Sequence, residues 1–404
     1  MNKTFCTLPW VNISVDPDGS VKPCCVSTDF ITKDDGTKFN LGYDNIQDIY
    51  NSKCFINIRQ KMLNGEPVQG CTRCYEQEKN SNSSHRLTYS NFKIFDYKPT
   101  QANIRIQYFD LRFGNLCNLS CRSCNPTASS QIAKETKQIS DSILNSFWST
   151  DTVNDDINNW YSTDIFNNNL NNQIENIKVL YLTGGEPTLN ENNKRFLEKL
   201  IENKKTNINI KFNSNMTALN KQFFDLLDNF SSITFFASID GYTDIQEWLR
   251  YPSNWKTIHE NIETVVKKQK YNIIITPVIQ VGNLNKLVDL FEYCESYNRQ
   301  YNKTVIKIDP ILLQLPEHFN IKILPKEFKL KCWESIETWY NTKCKYQNLV
   351  FKEKLKGIKT LCLEDNFDEV QIKKFKQMNN ILDNHRQHFL KNVNPELFEM
   401  LNRT

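Results

Sequence analysis

The sequence predicts an α/β fold with a parallel sheet, open or barrel-like, and three observations predict it. Between residues 104 and 310, six strand-like segments alternate with helix-like ones, the order that sets consecutive strands in parallel with helices over them. Three cysteines lie directly behind the first of these strands, at the edge where parallel α/β sheets bind ligands. A glycine pair closes the second strand, and glycine lets backbone approach a ligand closely.

Each element follows from its pattern. "IRIQYFDLRF" (104–113) alternates apolar and polar residues like a half-buried strand. "ASSQIAKETKQISDSIL" reads as a helix with Ile132, Ile139 and Ile143 on its apolar side, and "NIKVLYLTGGEP" as a strand entering a glycine turn. There follow helix "NENNKRFLEKLIEN", strand "NINIKFNSN", helix "NKQFFDLLDNF", strand "ITFFASIDG" and helix "WKTIHENIETVVKKQ". Strand "NIIITPVIQV", helix "LNKLVDLFEYCESYN" and strand "TVIKIDPIL" complete the series. The polar stretch 147–175 interrupts it and reads either as a lid or binding element or as a solvated insertion. Its asparagine tract "NNNLNNQ" (167–173) is given no functional weight. Beyond residue 310, "PKEFKLKCWESIETWYN" and "DEVQIKKFKQMNNILDNHRQHFL" present apolar faces and are expected as amphipathic helices packed across the sheet. Cys332 and Cys344 within or beside them read as packing residues.

Composition excludes several classes of function. The chain has 404 residues, 39% hydrophobic and 24% charged, with a formal net charge of +4. That length suits two or three domains, or one large barrel with additions. So balanced a charge argues against nucleic-acid or membrane partners. No apolar run reaches the roughly 18–20 residues that span a bilayer, and "MNKTFCTLPW" lacks the apolar core of a signal peptide. A cytoplasmic location is expected, where the thirteen cysteines serve as metal ligands or free thiols rather than disulfides.

Two cysteine groups stand out. Cys117, Cys121 and Cys124 form C-x-x-x-C-x-x-C within "GNLCNLSCRSCNP". A structural zinc site and a closed iron–sulfur cluster both want four protein ligands. Three thiolates can hold three irons of a cubane and leave the fourth iron open. The second group is Cys6, Cys24, Cys25, Cys71 and Cys74. "PDGSV" (17–21) is a tight hairpin signal that carries Cys24 and Cys25 back toward Cys6. "CTRC" supplies two thiolates one turn apart, so three separate elements offer enough ligands to close a site, for zinc or for iron. Cys54 lies in a helix-like segment as a packing residue, and "EKNSNSSHR" (78–86) reads as a linker.

The segment C-N-L-S-C-R-S-C (117–124) resembles the cluster motif of the radical S-adenosylmethionine (SAM) superfamily. In that superfamily the open iron is chelated by the amino and carboxylate groups of SAM. Ser123 stands where many members carry an aromatic residue against the adenine. "LTGGEP" (182–187) resembles the superfamily's GGEP motif, so Gly184, Gly185, Glu186 and Pro187 are implied at the SAM amino group. Ser214, Asn215, Ser238 and Asp240, at the next two strand ends, are candidates for the SAM ribose and carboxylate. Arg250 resembles an arginine that pairs with the SAM carboxylate, and Val278 packs on adenine or in the core.

The pattern C-x-x-P-W…P-D-G-x-V-x-P-C-C…C-x-x-C looks like the SPASM/twitch modules that accompany many peptide-modifying members. Those modules follow the barrel in familiar members; here the module precedes it. One auxiliary 4Fe–4S cluster is implied, held by Cys6, Cys24 or Cys25, Cys71 and Cys74. The resemblance thus implies an auxiliary module over residues 1–85, a partial (β/α)6 TIM-like barrel over 100–310, and a helical extension over 311–404. It implies an enzyme with a catalytic 4Fe–4S cluster, a second cluster and SAM. The enzyme would cleave SAM reductively to a 5′-deoxyadenosyl radical and abstract hydrogen from a peptide or protein, fed by a donor such as flavodoxin or ferredoxin. The alternative substrate is a sugar or nucleotide undergoing dehydrogenation or epimerisation. The non-enzyme alternative is an electron-transfer or zinc-scaffold protein.

Overall fold

A strand forms where one row of side chains can be buried, and the first expected strand condenses to its apolar end, Tyr108–Arg112. A computed structural model of the chain describes residues 3–80, 84–98, 104–139, 159–364 and 367–403. Ten strands are found among them, labelled in chain order. They are β1 (Asn12–Val15), β2 (Val21–Lys22), β3 (Tyr108–Arg112), β4 (Val179–Thr183), β5 (Asn209–Ser214), β6 (Ser232–Ala237), β7 (Tyr271–Ile275), β8 (Val278–Ile279), β9 (Ile306–Ile308) and β10 (Ile311–Leu312). The chain divides into two compact units. The first comprises Met1–Leu116, Asn154–Asn213 and Leu219–Thr234; the second comprises Cys117–Val153, Ser214–Ala218 and Phe235–Thr404.

In the first unit the sheet runs β2-β1-β3-β4-β5. The β1–β2 hairpin is antiparallel and every other pairing is parallel. Gly19, at φ +86°, makes the hairpin turn, and its N–H reaches the Asp16 carbonyl at 2.9 Å. The hairpin was expected; its second use was not. β1 pairs in parallel with β3, Asn12 opposite Tyr108, so the N-terminal cysteine segment extends the barrel sheet. Ile13, Phe109, Leu180 and Ile210 align across the sheet on one face and are buried.

The described part of the 147–175 insertion, residues 159–175, is neither a lid nor a solvated loop. Residues 140–158 lie outside the described part. Trp160 has no exposed surface and packs against Phe113 and Phe166, with its indole N–H 3.0 Å from the Pro17 carbonyl. The helix Asp164–Gln173 starts on Thr163, whose hydroxyl accepts the Phe166 N–H. Two members of the asparagine-rich tract face inward from it. Asn169 accepts the Ile46 N–H and donates to the Leu41 and Asp44 carbonyls, and Gln173 accepts the Ile106 N–H. This segment is the seat on which the cysteine-rich module rests. Nor is 78–86 a plain linker: the helix Thr72–Asn80 enters it, Ser84 caps the helix His85–Ser90, and Arg86 pairs with Glu78.

In the second unit β7 pairs in parallel with β9, and β8 with β10. The expected helices are present as Ser130–Ile139, Trp255–Lys267, Leu287–Tyr301, Lys326–Thr342 and Glu369–Arg386. Helices that escaped the sequence reading include Asp244–Leu249, Leu349–Leu363 and Pro395–Arg403. Among the described residues no helix is long and apolar enough to cross a membrane.

Replacing Trp160 by alanine removes the largest side chain of the seat. A loss of about 3–5 kcal/mol is expected, read as a lower urea midpoint for the tryptophan-fluorescence transition. An unchanged midpoint would show that the segment is only draped over the module.

Candidate iron–sulfur and cofactor site

The cysteine loop is held from below by backbone pairing. Within the second unit, the Ser120 N–H donates to the Tyr251 carbonyl at 2.6 Å and the Arg122 N–H to the Leu249 carbonyl at 2.9 Å. The Cys117 N–H donates to Ser130 Oγ at 3.1 Å, and the Leu119 N–H points at Cys117 Sγ at 3.4 Å. Burial raises the pKa of Cys121, and Arg250 opposes that shift. Burial and then Cys121 push Cys124 up to about 12. Three thiols crowded into one loop, with a guanidinium and a backbone N–H aimed at two of the sulfurs, suit thiolates bound to a cationic cluster.

Beneath the loop lies a group that sequence reasoning missed. Arg122 is completely buried, yet every arm of its guanidinium is engaged. Nε donates to the Trp248 carbonyl at 2.8 Å, Nη1 to Asn379 at 2.8 Å and Nη2 to Asp383 at 2.6 Å. Burial lowers its pKa to about 9, with Asp383 opposing, so it remains cationic at neutral pH. Arg386 of the same C-terminal helix forms a two-pronged pair with Glu135 and donates to the Ser120 carbonyl at 2.7 Å. The C-terminal helix does more than pack across a sheet. It clamps the cysteine loop.

The candidate strand-end residues occupy defined places in this unit. Asn215 donates to Asn118 Oδ1 at 2.9 Å, and Asn118 donates to Thr217 Oγ1 at 2.8 Å, so Asn215 and Thr217 are tied to the loop between Cys117 and Cys121. Ser214 Oγ accepts the Met216 N–H, and the Ser238 N–H donates to the Ser214 carbonyl at 2.8 Å. Asp240 is buried and takes Arg250 in a fork, at 2.8 Å from Nε and 3.1 Å from Nη2, and also accepts the Val278 N–H. Burial works against the Arg250 charge, but Asp240 outweighs it and the pKa is raised. The remaining arm of the guanidinium lies 3.9 Å from Cys121 Sγ. Arg250 is thereby held at the middle cysteine of the loop.

In the first unit the GGEP turn shows why its residues are needed. Gly184 and Gly185 have φ of +80° and +46°, a region that disfavours side chains. A Cβ on Gly185 would lie 2.1 Å from the Leu116 carbonyl oxygen. That same carbonyl accepts the Glu186 N–H at 2.7 Å. Glu186 is buried, and its Oε1 accepts the Thr188 N–H at 3.2 Å and the Thr188 hydroxyl at 2.7 Å. The carboxylate braces the turn that Pro187 opens.

The N-terminal thiols also converge. Burial pushes Cys6 and Cys71 up to about 12, and Cys71 and Cys74 add to the shift at Cys6. Burial and then Cys25, Cys6 and Cys71 raise Cys24; burial raises Cys74. Arg86, which sequence reasoning did not single out, opposes the shifts at Cys6, Cys71 and Cys74. Among the described residues no three of His, Cys, Asp and Glu are grouped closely enough to hold a single metal ion, in either cysteine group.

Comparison with known proteins follows the same two segments. Residues 111–294 match the Radical SAM superfamily, and residues 6–75 match SPASM, an iron–sulfur cluster-binding domain. No curated protein matches the chain. Among solved structures, SuiB of Streptococcus suis is 12% identical over 83% of this chain and 69% of its own, with a TM-score of 0.39. SuiB bound to precursor peptide SuiA gives 11% identity over 81% of this chain and 70% of its own, with a TM-score of 0.34. TYW1 with a lysine-pyruvate adduct bound gives 15% identity, 58% and 71% coverage, and a TM-score of 0.28.

Two substitutions check the braces. Arg122→Leu strands Asp383 as an unpaired buried charge, and a loss of about 3–5 kcal/mol is expected by denaturant unfolding. Glu186→Gln keeps an acceptor for Thr188 and is expected to leave stability nearly unchanged. Glu186→Leu removes the acceptor and is expected to cost about 1–3 kcal/mol. Equal effects of Gln and Leu would defeat the bracing role.

Proposed function

We propose that this chain, a radical SAM enzyme with a SPASM-type auxiliary domain, modifies a peptide or protein by abstracting hydrogen from an unreactive carbon. The observation that carries the reading is the presence, in one chain, of a three-cysteine loop and a separate set of converging thiols of the SPASM kind. When bound, the catalytic cluster and SAM supply a one-electron reductive cleavage to methionine and a 5′-deoxyadenosyl radical.

The chain's own residues do the positioning. Cys117, Cys121 and Cys124 hold the catalytic cluster, with Arg250 steadying the Cys121 sulfur. Gly184 and Gly185 open the backbone of the second strand end to the SAM amino group, and Glu186 and Pro187 keep that turn in shape. Ser214, Asn215, Ser238 and Asp240 serve the SAM ribose and carboxylate, with Asn215 tied to the cysteine loop through Asn118 and Asp240 holding Arg250. The N-terminal thiols Cys6, Cys71 and Cys74, with one of Cys24 and Cys25, hold the auxiliary cluster. Modules of this kind accompany many peptide-modifying members, which supports a peptide substrate. A flavodoxin- or ferredoxin-type protein delivers the electron.

Anaerobically reconstituted protein is expected to bind about eight irons per chain, as two 4Fe–4S clusters. With dithionite and SAM it should form 5′-deoxyadenosine. The triple Cys117→Ala, Cys121→Ala, Cys124→Ala variant should keep about half the iron and form none; continued formation would end the radical SAM assignment of this loop. The peptide reading is tested by a deuterated short peptide encoded beside the gene, whose deuterium should appear in the 5′-deoxyadenosine. Deuterium transfer from a sugar or nucleotide instead would replace the peptide by a metabolite.

A further inference from the structure

One polar row crosses the sheet of the first unit. The register sets Ser14 of β1 opposite Asp110 of β3, Asp110 opposite Tyr181 of β4, and Tyr181 opposite Lys211 of β5. Side chains aligned in this way share one face of a sheet. Four polar groups in a row on a covered face are costly unless they are mutually satisfied or serve a ligand.

They are not mutually satisfied. Asp110 is 1% exposed; its Oδ2 accepts the Ser14 hydroxyl at 3.0 Å and the Cys25 thiol lies against the carboxylate, while Oδ1 has no N–H or O–H donor and only Arg112 Nη2 at 3.8 Å. Lys211 Nζ touches the Tyr89 hydroxyl at 3.3 Å and the Tyr89 and Phe92 rings, and no carboxylate among the described residues pairs with it. Burial lowers its pKa to about 8, opposed by Cys25, which leaves a cation at neutral pH whose acidic neighbour is a thiol that burial itself pushes up, not a carboxylate. Cys25 enters from the cysteine-rich module. Its Sγ lies 3.6 Å from His85 Nε2, and after burial its main electrostatic neighbours are Asp110 and Arg112. The adjacent Cys24 neighbours Cys25 itself and then Cys6 and Cys71, and none of Asp110, Arg112 or His85. The two consecutive thiols therefore face different sites.

We infer that Cys25 is not a cluster ligand but the thiol of a second site, shared with Asp110, His85 and Lys211, that receives a carboxylate of the substrate. The carboxylate supplies the counter-charge that Lys211 lacks, and an N–H or O–H of the same molecule satisfies Asp110 Oδ1. The inference rests on the reading that the N-terminal thiols hold an iron–sulfur cluster, with Cys24 completing the set of Cys6, Cys71 and Cys74.

Iron content of anaerobically reconstituted holoprotein tests the ligand assignment. Cys25→Ser should hold about eight irons, like the wild type, and Cys24→Ser about four. The reverse result overturns the inference and leaves the cluster reading intact; a wild type with only four irons would instead defeat the cluster reading. Alkylation tests the carboxylate site in either event. Iodoacetate and iodoacetamide react alike, a C–S bond forming as the C–I bond breaks, with iodide released and the thiol proton lost to solvent. Only iodoacetate carries the carboxylate. Its rate at Cys25 relative to iodoacetamide, read by peptide mass spectrometry on the holoprotein, should fall about five-fold or more in Lys211→Met, the loss expected for one partly buried charge pair. It should rise in Asp110→Asn, where a like charge is removed. Slowing of the wild-type reaction by N-acetylalanine assigns the site to a chain-terminal carboxylate, and slowing by N-acetylglutamic acid α-amide to an acidic side chain. A rate ratio unchanged by Lys211→Met, or no labelling of Cys25, overturns the proposal.

Discussion

A guanidinium sealed from water governs the cysteine loop. Arg122 lies between Cys121 and Cys124 in sequence, and a charge so buried is tolerated only when every donor is met. Its partners come from far along the chain: the Trp248 carbonyl and indole face, Asn379 and Asp383. Asp383 in turn accepts the Trp248 indole N–H and the Leu390 N–H. Cluster geometry depends on where three sulfurs stand, and the groups behind ligands orient them as surely as the ligands themselves. The C-terminal helices belong to the site for that reason, although none of their residues is a candidate ligand.

The glycine turn solves a different problem by steric means. Its backbone passes so close to the Leu116 carbonyl that a side chain on Gly185 has no room, and the Glu186 N–H converts that proximity into a hydrogen bond. Leu116 is the residue before Cys117 in sequence. A carboxylate read from sequence as a contact for SAM is also the cap of its own turn, engaged with Thr188. Arg250 behaves similarly, gripped by Asp240 and presented to Cys121. Both residues have local partners that no motif states.

What was legible in the sequence was local. Strand alternation, the hairpin at Gly19, the cysteine spacing and the glycine pair are written over a few residues each, and each formed where its pattern lay. What was not legible depends on partners hundreds of positions apart. No spacing rule joins Arg122 to Asp383 or Arg386 to Glu135. The parallel pairing of β1 with β3 was hidden because β1 is short and its residues Asn12 and Ser14 break the apolar pattern. The asparagine tract looked like compositional bias because the two side chains that matter, Asn169 and Gln173, satisfy backbone groups elsewhere. Cys24 and Cys25 are indistinguishable in sequence, because they are parted only by the direction each takes in the turn after β2, where the Ser27 N–H bonds the Cys24 carbonyl.

The seat formed by residues 159–175 also sets a schedule for the chain as it is made. The cysteine-rich module is synthesised first, but the Ile46 N–H and the Leu41 and Asp44 carbonyls find Asn169 only later, and Trp160 closes over Pro17 at the same stage. Until about a hundred further residues have left the ribosome, the module lacks part of its own interior. The module is thus made early and completed late: the Ile46 N–H and the Leu41 and Asp44 carbonyls stay open to water until the helix Asp164–Gln173 returns to meet them.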